Sequence, residues 1–528
     1  MKKNKTLVAL LATLFMAAPV AACTPTVIPD EVPEGRTEIK ISMYSGGYGT
    51  EWMENLIDRL NQSQETYWYT RNPDNKAASD EIAGKILGGV VEADIYLTTP
   101  ADVERLVAGG YLEDLTSVYN YKHEGETLTI REKTLGYEYY EKFLSDKNGI
   151  YVMPNQYNVN GIVYDHDLFE KMEWLLTDSG TKNGLTKGAD GVEGTYDDGL
   201  PVTYAQFKSM VQKISISACP FIYPDKVGFG HMMRGLEAMW AQYEGLENYE
   251  VGATYNGTYT SPSTGTQTTI TAQDGWKVYA NNLQEGRWKA VQYLNEIYMN
   301  PLYLYSERKG LTHTDAQSVF VTSHATQKPI AMLLDGGWWE NEAKRAFADD
   351  AAFNGEEYAY GKRDFRLMPV PAFDGQNEKS NGKHYFEGGV SGSSFAIKQS
   401  DPVKKEGVLE FFKEYASDWN CKNYTTSSGC VLPFKYTLTD AEKASLSPYA
   451  QNTFEIINSE SAVIVDLYWM EKSADLNTLP GRWDSVVVGG KEYSSHWVAL
   501  NAGGVTVDSY KSGLLSTYTQ SNWKEKTK

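Results

Sequence analysis

Three observations predict a two-domain α/β protein carried behind a secretion leader: 528 residues, short strands that turn through glycines into amphipathic helices, and an apolar N-terminal stretch ending at a cysteine. The length exceeds what one hydrophobic core ordinarily serves, so two domains are expected. Ile39, Ile41 and Met43 alternate with polar residues as a strand does, and Ser45-Gly46-Gly47-Tyr48-Gly49 then turns the chain. Met53, Leu56, Ile57 and Leu60 follow at helical spacing, in a segment that opens near Thr50 and turns polar by Gln64. A strand, a glycine turn and a helix begin an α/β domain.

The theme repeats along the chain. Residues 93–97 (ADIYL) read as a buried strand, 101–108 as a helix and Gly109-Gly110 as its stop. Strands also fit 150–153, 161–164 and the continuous apolar run 329–334, while 393–398 alternates into a helix over 402–417. Pro402 stands where a first-turn proline is tolerated, and Val408, Leu409, Phe411 and Phe412 give that helix its apolar face. The stretch 249–273, rich in Gly, Thr, Ser and Tyr, reads as a surface excursion or hairpin.

The leader fixes the compartment. Lys2, Lys3 and Lys5 precede an apolar run from Leu7 to Ala18, too short for a membrane-spanning helix of about 20 residues. Residues 1–22 are therefore expected to be a signal peptide, and Val20-Ala21-Ala22-Cys23 resembles the lipobox of bacterial lipoproteins, in which Cys23 would carry lipid. Pro25, Pro29 and Pro33 make 23–38 an extended tether. The net charge is -20, and loss of the three leader lysines makes the mature chain more acidic still, which argues against nucleic acid and anionic membrane surfaces as partners. Four cysteines do not make a disulfide scaffold; Cys421 and Cys430 either bridge or stay free, and Cys219 is expected to be a buried thiol.

Several phrases in order carry a resemblance: ADIYLTTPADVERLVAGGYLEDLT at 93–116, GIYVMPNQYNVNGIVYDHDLFEK at 149–171, GLPVTYAQFKSMVQKI at 199–214, KPIAMLLDGGWWENEA at 328–343, FRLMPVPAFDG at 365–375, and GGVSGSSFAIKQSDPVKKEGVLEFFKEYAS at 388–417. Together they resemble the family 1 extracellular solute-binding proteins, the sugar-binding group that includes maltose-binding protein. The resemblance implies a two-lobe periplasmic-binding-protein fold (type II) with the ligand in a cleft between lobes joined by crossover hinges. Lobe one would comprise 39–157 and 392–440, lobe two 158–391 and 441–528, with hinges near 157–160 and 391–392. It also implies capture of a carbohydrate, expected to be an oligosaccharide, and delivery to an ABC importer whose membrane subunits read the ligand-closed form.

Sugar sites stack flat aromatic rings on C–H faces and set amides or carboxylates around the hydroxyl rim. The chain has 37 Tyr and 13 Trp against 17 Phe, a balance that permits such a site without locating it. Position locates it better. The run 329–334 leads through Asp335-Gly336-Gly337 to Trp338 and Trp339, which resembles the strand end that aims a tryptophan into the family's cleft. Trp338 is expected to stack on ligand and Trp339 to support it. Tyr44, Gly47 and Tyr48, Thr98 and Thr99, and Asn155, Gln156 and Asn158 fall at matching places. Trp240, Trp469 or Trp483 would furnish a second stacking face or else sit in the core. Gly388 and Gly389 would let backbone approach the ligand or serve the hinge.

The phrase GADGVEGTYDDG at 188–199 sets Asp190, Glu193, Asp197 and Asp198 among glycines, as a solvated acidic turn or a structural calcium loop without EF-hand spacing. No cofactor is required by this reading. The seven histidines lack HExxH spacing, and neither a GxSxG elbow nor a Walker loop occurs. The chain is therefore expected not to be an enzyme. A surface glycan-binding adhesin without transport, or a glycoside hydrolase with paired carboxylates, would use the same residue types.

Overall fold

The computed structural model describes residues 31–72, 79–98, 103–138, 141, 149–224, 228–279, 283–373, 382–466, 486–494, 496–501 and 505–526. The leader with Cys23, and Thr99, Trp469 and Trp483, lie outside the described residues.

Strand β1 (Thr37–Met43) lies parallel to β2 (Tyr67–Arg71) and β3 (Ile95–Thr98) at the heart of a four-stranded sheet. The helix Glu51–Ser63 covers one face of it, burying Met53, Leu56, Ile57 and Leu60 as their spacing predicts, with Trp52 beside them. A second sheet is built around β4 (Gln156–Asp165), a ten-residue strand that absorbs the predicted 161–164. Beside it run β5 (Cys219–Ile222), β8 (Ile330–Gly336), β9 (Phe365–Met368), β10 (His384–Ser391) and β12 (Ala462–Val465). Small hairpins come from β6 (Gly257–Thr260) with β7 (Gln267–Ile270) and β13 (Val486–Val488) with β14 (Lys491–Tyr493).

The chain crosses between the sheets three times, the last time to set β12 beside β10 in the second. It enters the second at Gln156, and it returns where β10 ends and β11 (Ser393–Ala396) pairs antiparallel with β3 in the first. Gly392 is the single residue between these strands, in the left-handed region at φ 75°. Each sheet has its own core. Helix Pro448–Asn458 serves both sides, since Ala450 and Phe454 join the first-lobe core while Tyr449 and Ile456 pack with the strands of the second. First-lobe packing thus extends beyond residue 440.

Two local expectations are corrected. Residues 150–153 make an isolated bridge, Met153 to Ser394, instead of a strand. Their backbone groups are taken elsewhere: Val152 O accepts from Tyr119 Oη at 2.9 Å, and Ile150 N donates to Thr116 Oγ1 at 3.2 Å. The stretch 249–273 does contain a hairpin, but it is no mere surface excursion. Its first part completes the helix Leu246–Thr254, and Tyr249, Tyr255, Tyr259 and Ile270 enter the second-lobe core. Carboxylates make that burial tolerable, because Tyr249 Oη donates to Glu237 and Tyr259 Oη to Glu244. Cys219, Cys421 and Cys430 are free and buried, so the bridging alternative for the latter two is not realised. Burial raises their thiol pKa values, to about 11 for Cys219 and about 12 for Cys430, which leaves them inert as nucleophiles. Among the described residues no helix is long and apolar enough to cross a membrane.

Candidate functional site

Chain segments from both lobes converge on an open cavity of about 270 Å³. The first lobe supplies Tyr44, Gly46, Gly47 and Tyr48 from the turn after β1. The start of β4 supplies Gln156 and Asn158, the turn after β8 supplies Trp338 and Glu342, and two helices of the second lobe supply His231 and His313.

Trp338 is held by close backbone approach. A Cβ added at Gly47 would lie 2.8 Å from its Cδ1, and one at Gly336 would lie 2.6 Å from its six-membered ring. Only glycine leaves room for the indole at these two places, one on each lobe. The half-buried ring packs on the first-lobe core although β8 of the second lobe carries it, with Tyr48 at 6.3 Å between centroids. Asn341 Nδ2 reinforces the contact by donating to Gly47 O at 2.5 Å.

The polar rim is organised by hydrogen bonds. Tyr48 Oη donates to Asn158 Oδ1 at 3.0 Å, Asn158 Nδ2 to Ser391 Oγ at 3.3 Å, and Ser391 Oγ to Gln156 Oε1 at 3.3 Å. This chain links the first-lobe turn to both crossover strands. Across the cavity, Gln317 Nε2 donates to Glu342 Oε2 at 2.7 Å and to the buried Asp335 Oδ2 at 3.0 Å. His313 Nε2 lies 3.4 Å from Glu342 Oε1. Burial pushes the Glu342 carboxyl above its usual range, with the charge of Asp335 acting in the same direction. His231 Nδ1 donates to Leu334 O at 2.9 Å, which orients the ring. The cavity thus offers an aromatic wall with amide, carboxylate and imidazole groups opposite, a setting for a small molecule with an apolar face and a hydrogen-bonding rim.

The structure gathers Tyr44, Gly47, Tyr48, Gln156, Asn158 and Trp338 here and places elsewhere the other expected residues that it describes. Thr98 and Asn155 are buried behind the cavity, where Asn155 Nδ2 donates to Thr98 O at 2.9 Å and Thr98 Oγ1 to Ser393 O at 3.1 Å, pinning the crossover. Gly388 and Gly389 pair with Val159 and Asn158 within the sheet. Their φ angles of 154° and 108° let Asn158 O and the Asp466 carboxylate approach, so they shape the hinge strand. Trp339 is fully buried among Phe320, Phe347, Phe365 and Tyr449. Trp240 is a core residue of the second lobe, its Nε1 donating to Gln284 and its ring set edge-on to Tyr249 at 5.5 Å.

The acidic loop does not converge as four oxygens. Glu193 Oε1 accepts from the backbone N of Lys182 at 2.5 Å, and Asp198 Oδ2 from Gly194 N at 2.7 Å, so these two carboxylates hold the loop together. Asp190 and Asp197 meet His384 instead.

Sequence reasoning missed His231, His313 and Glu342. The spacing from Trp338 to Glu342 was a usable signal, because residues four apart on a helical turn share a face. The histidines gave none, since their positions are joined only by the fold.

Residues 56–448 match the family described as Bacterial extracellular solute-binding protein. No curated protein sequence matches the chain. Among solved structures, RafE in complex with raffinose is similar at 13% identity and TM-score 0.53, over 92% of this chain and 100% of that one. A chitin oligosaccharide binding protein is similar at 15% identity and TM-score 0.52, over 79% and 86%. A protein described for xylan utilization by Caldanaerobius polysaccharolyticus is similar at 15% identity and TM-score 0.53, over 82% and 91%. At such identities these neighbours establish the two-lobe fold, and the family match over most of the length supplies the lineage. The chain belongs to the bacterial extracellular solute-binding protein family.

Proposed function

We propose that the chain captures an oligosaccharide in the interlobe cavity and delivers it to an ABC importer by lobe closure, tethered to the membrane through a lipid on Cys23. The observation that carries this reading is Trp338, seated between Gly47 of one lobe and Gly336 of the other beside the amides of Gln156 and Asn158. A stacking ring at the lobe boundary makes ligand contacts depend on closure, which couples occupancy to a shape an importer recognises. Structural neighbours that include a chitin oligosaccharide binding protein, RafE in complex with raffinose and a protein described for xylan utilization support a carbohydrate. The family is extracellular, which puts the chain outside the cytoplasm.

Its family and neighbours are binding proteins. A glycosidase needs two carboxylates flanking the scissile bond. Among the described residues lining the cavity, Glu342 is the only carboxylate, which favours binding over hydrolysis.

Melting curves of the protein with oligosaccharides, amino acids and peptides test the reading. A sugar at a hundred times its Kd stabilises by about 2.7 kcal/mol, so a clear rise in Tm with one oligosaccharide series is expected and none with peptides. A rise with peptides alone would overturn the carbohydrate assignment, and release of reducing ends from the bound glycan would turn it toward hydrolysis.

A further inference from the structure

The loop 188–199 folds back onto the first residue of β10, at the end of that strand remote from the cavity. There a carboxylate oxygen from each of Asp190 and Asp197 and a ring nitrogen of His384 all lie within 4.8 Å of one another. Asp197 and His384 are each 1% exposed, and Asp190 is half-buried. Two carboxylates so close repel each other unless a cation lies between them. The neighbouring Lys383 turns its Nζ to Glu460 O, at 2.5 Å, and forms no ion pair with either carboxylate.

The imidazole is posed as a ligand. His384 Nε2 lies 3.1 Å from Asp197 Oδ2, yet it is buried without a hydrogen-bond partner, since the N–H direction does not meet that oxygen. Two atoms each about 2.1 Å from one metal ion and 3.1 Å apart subtend roughly 95° at it, a reasonable angle between neighbouring ligands. The other ring nitrogen, Nδ1, is in hydrogen-bond contact with Tyr196 Oη, and the two rings stand edge to face at 5.2 Å. When Nδ1–H donates to the phenol oxygen, the Nε2 lone pair faces the carboxylates, the arrangement by which an outer partner orients a metal-bound histidine.

The carboxylates are also held in advance. Asp197 Oδ1 accepts from Thr195 Oγ1 at 2.8 Å and Oδ2 from Ala189 N at 2.6 Å, while Asp190 Oδ1 accepts from Val192 N at 2.7 Å. We propose that Asp190, Asp197 and His384 form a binding site for a divalent cation of the zinc class, which fastens the 188–199 loop to β10. The donor set decides the class. Calcium takes six to eight oxygens, whereas the donors that converge here are two carboxylates and one imidazole, with Glu193 and Asp198 outside the group, a set that suits zinc and its cobalt surrogate. Seven residue steps at about 3.3 Å each separate His384 from Ser391 beside the cavity, so the ion has a structural role remote from ligand.

The test uses the mature protein, stripped with chelator and titrated with Zn²⁺ by calorimetry and with Co²⁺ by visible absorption. Saturable one-to-one binding and a Co²⁺ ligand-field band are expected. Asp190→Asn should weaken metal binding at least about tenfold and leave oligosaccharide titration unchanged, and His384→Gln should abolish the band. Absence of saturable binding, full affinity in Asp190→Asn, or tight calcium binding that survives His384→Gln would each overturn the proposal. Should His384→Gln fail to fold, the half-buried Asp190 variant and the wild-type cobalt spectrum decide it.

Discussion

The turn 338–342 sends neighbouring residues of the same types into two environments. On its cleft face, Trp338 is half-buried between Gly47 and Gly336, and Glu342 lies beside His313 and Gln317. On its core face, Trp339 is fully buried, with Phe365 at 5.0 Å and Phe320 and Tyr449 at 5.6 Å, and Glu340 accepts from Ser447 Oγ at 2% exposure. Residues four apart share one side of a helical turn, so 338 and 342 meet while 339 and 340 turn inward. Residue type alone does not separate cavity wall from packing here; the face does.

The largest effect expected from this contrast is on stability. Trp339→Ala should destabilise the protein by about 4 kcal/mol, because it empties a closed aromatic cluster. Trp338→Ala should leave the melting curve nearly unchanged and weaken oligosaccharide binding by about 2 kcal/mol. Melting curves and calorimetric titrations of both variants read the two effects separately. Equal losses of Tm would erase the distinction between the faces, and full sugar affinity in a folded Trp338→Ala protein would remove the ring from the ligand.

The acids extend the contrast to pH. Burial pushes the Glu340 carboxyl up to about 7, against an ordinary value near 4.5. Its folded-state pKa is raised, so the folded protein holds a proton that the unfolded chain releases. That contribution is complete below about pH 4.5 and is lost as pH rises through about 7. Glu340→Gln should therefore match the wild type in denaturant unfolding at pH 4.5 and exceed it at pH 8, by up to about 3 kcal/mol. Glu244, also raised to about 7 by burial, has the same sign and should leave part of the slope in the variant. Identical pH profiles for wild type and variant would mean that Glu340 keeps its charge in the core.

Much of the fold was legible because it is written in local periodicity. The spacing of Met53, Leu56, Ile57 and Leu60 gave the helix Glu51–Ser63, and the apolar run 329–334 gave β8, observed as Ile330–Gly336. Residues 150–153 misled because alternating apolar residues do not reveal that Tyr119 and Thr116 take their backbone groups. At the cleft, residues beside strand ends or glycine turns, such as Tyr48 and Trp338, could be placed from order along the chain. His231, His313 and His384 could not. Each acquires its surroundings from segments distant in sequence, as His384 does from Tyr196 and Asp197.

The smallest effect tests how the cleft face is coupled to the opposite lobe. A Cβ at Gly47 would meet Trp338 Cδ1 at 2.8 Å and Glu342 Cβ at 3.1 Å, while the backbone of Gly47 is outside the left-handed region. Gly47→Ala therefore brings no dihedral strain, and its cost falls on the contact between the first-lobe turn and the indole. The cavity is open on one side of that ring, so the ring shifts and the lobes meet less closely; mild overpacking of this kind costs about 1 kcal/mol. Oligosaccharide affinity should fall about fivefold, with little change in Tm. The same substitution in a Trp338→Ala background should cost less, because the nearest atom it strikes is gone and only the contacts with the Cβ atoms of residues 338 and 342 remain, and the double-mutant cycle should return a coupling of about 0.5 kcal/mol or more. Additive losses would place the effect of Gly47 on ligand directly instead of through Trp338, and would separate the first-lobe turn from the indole as independent parts of the site.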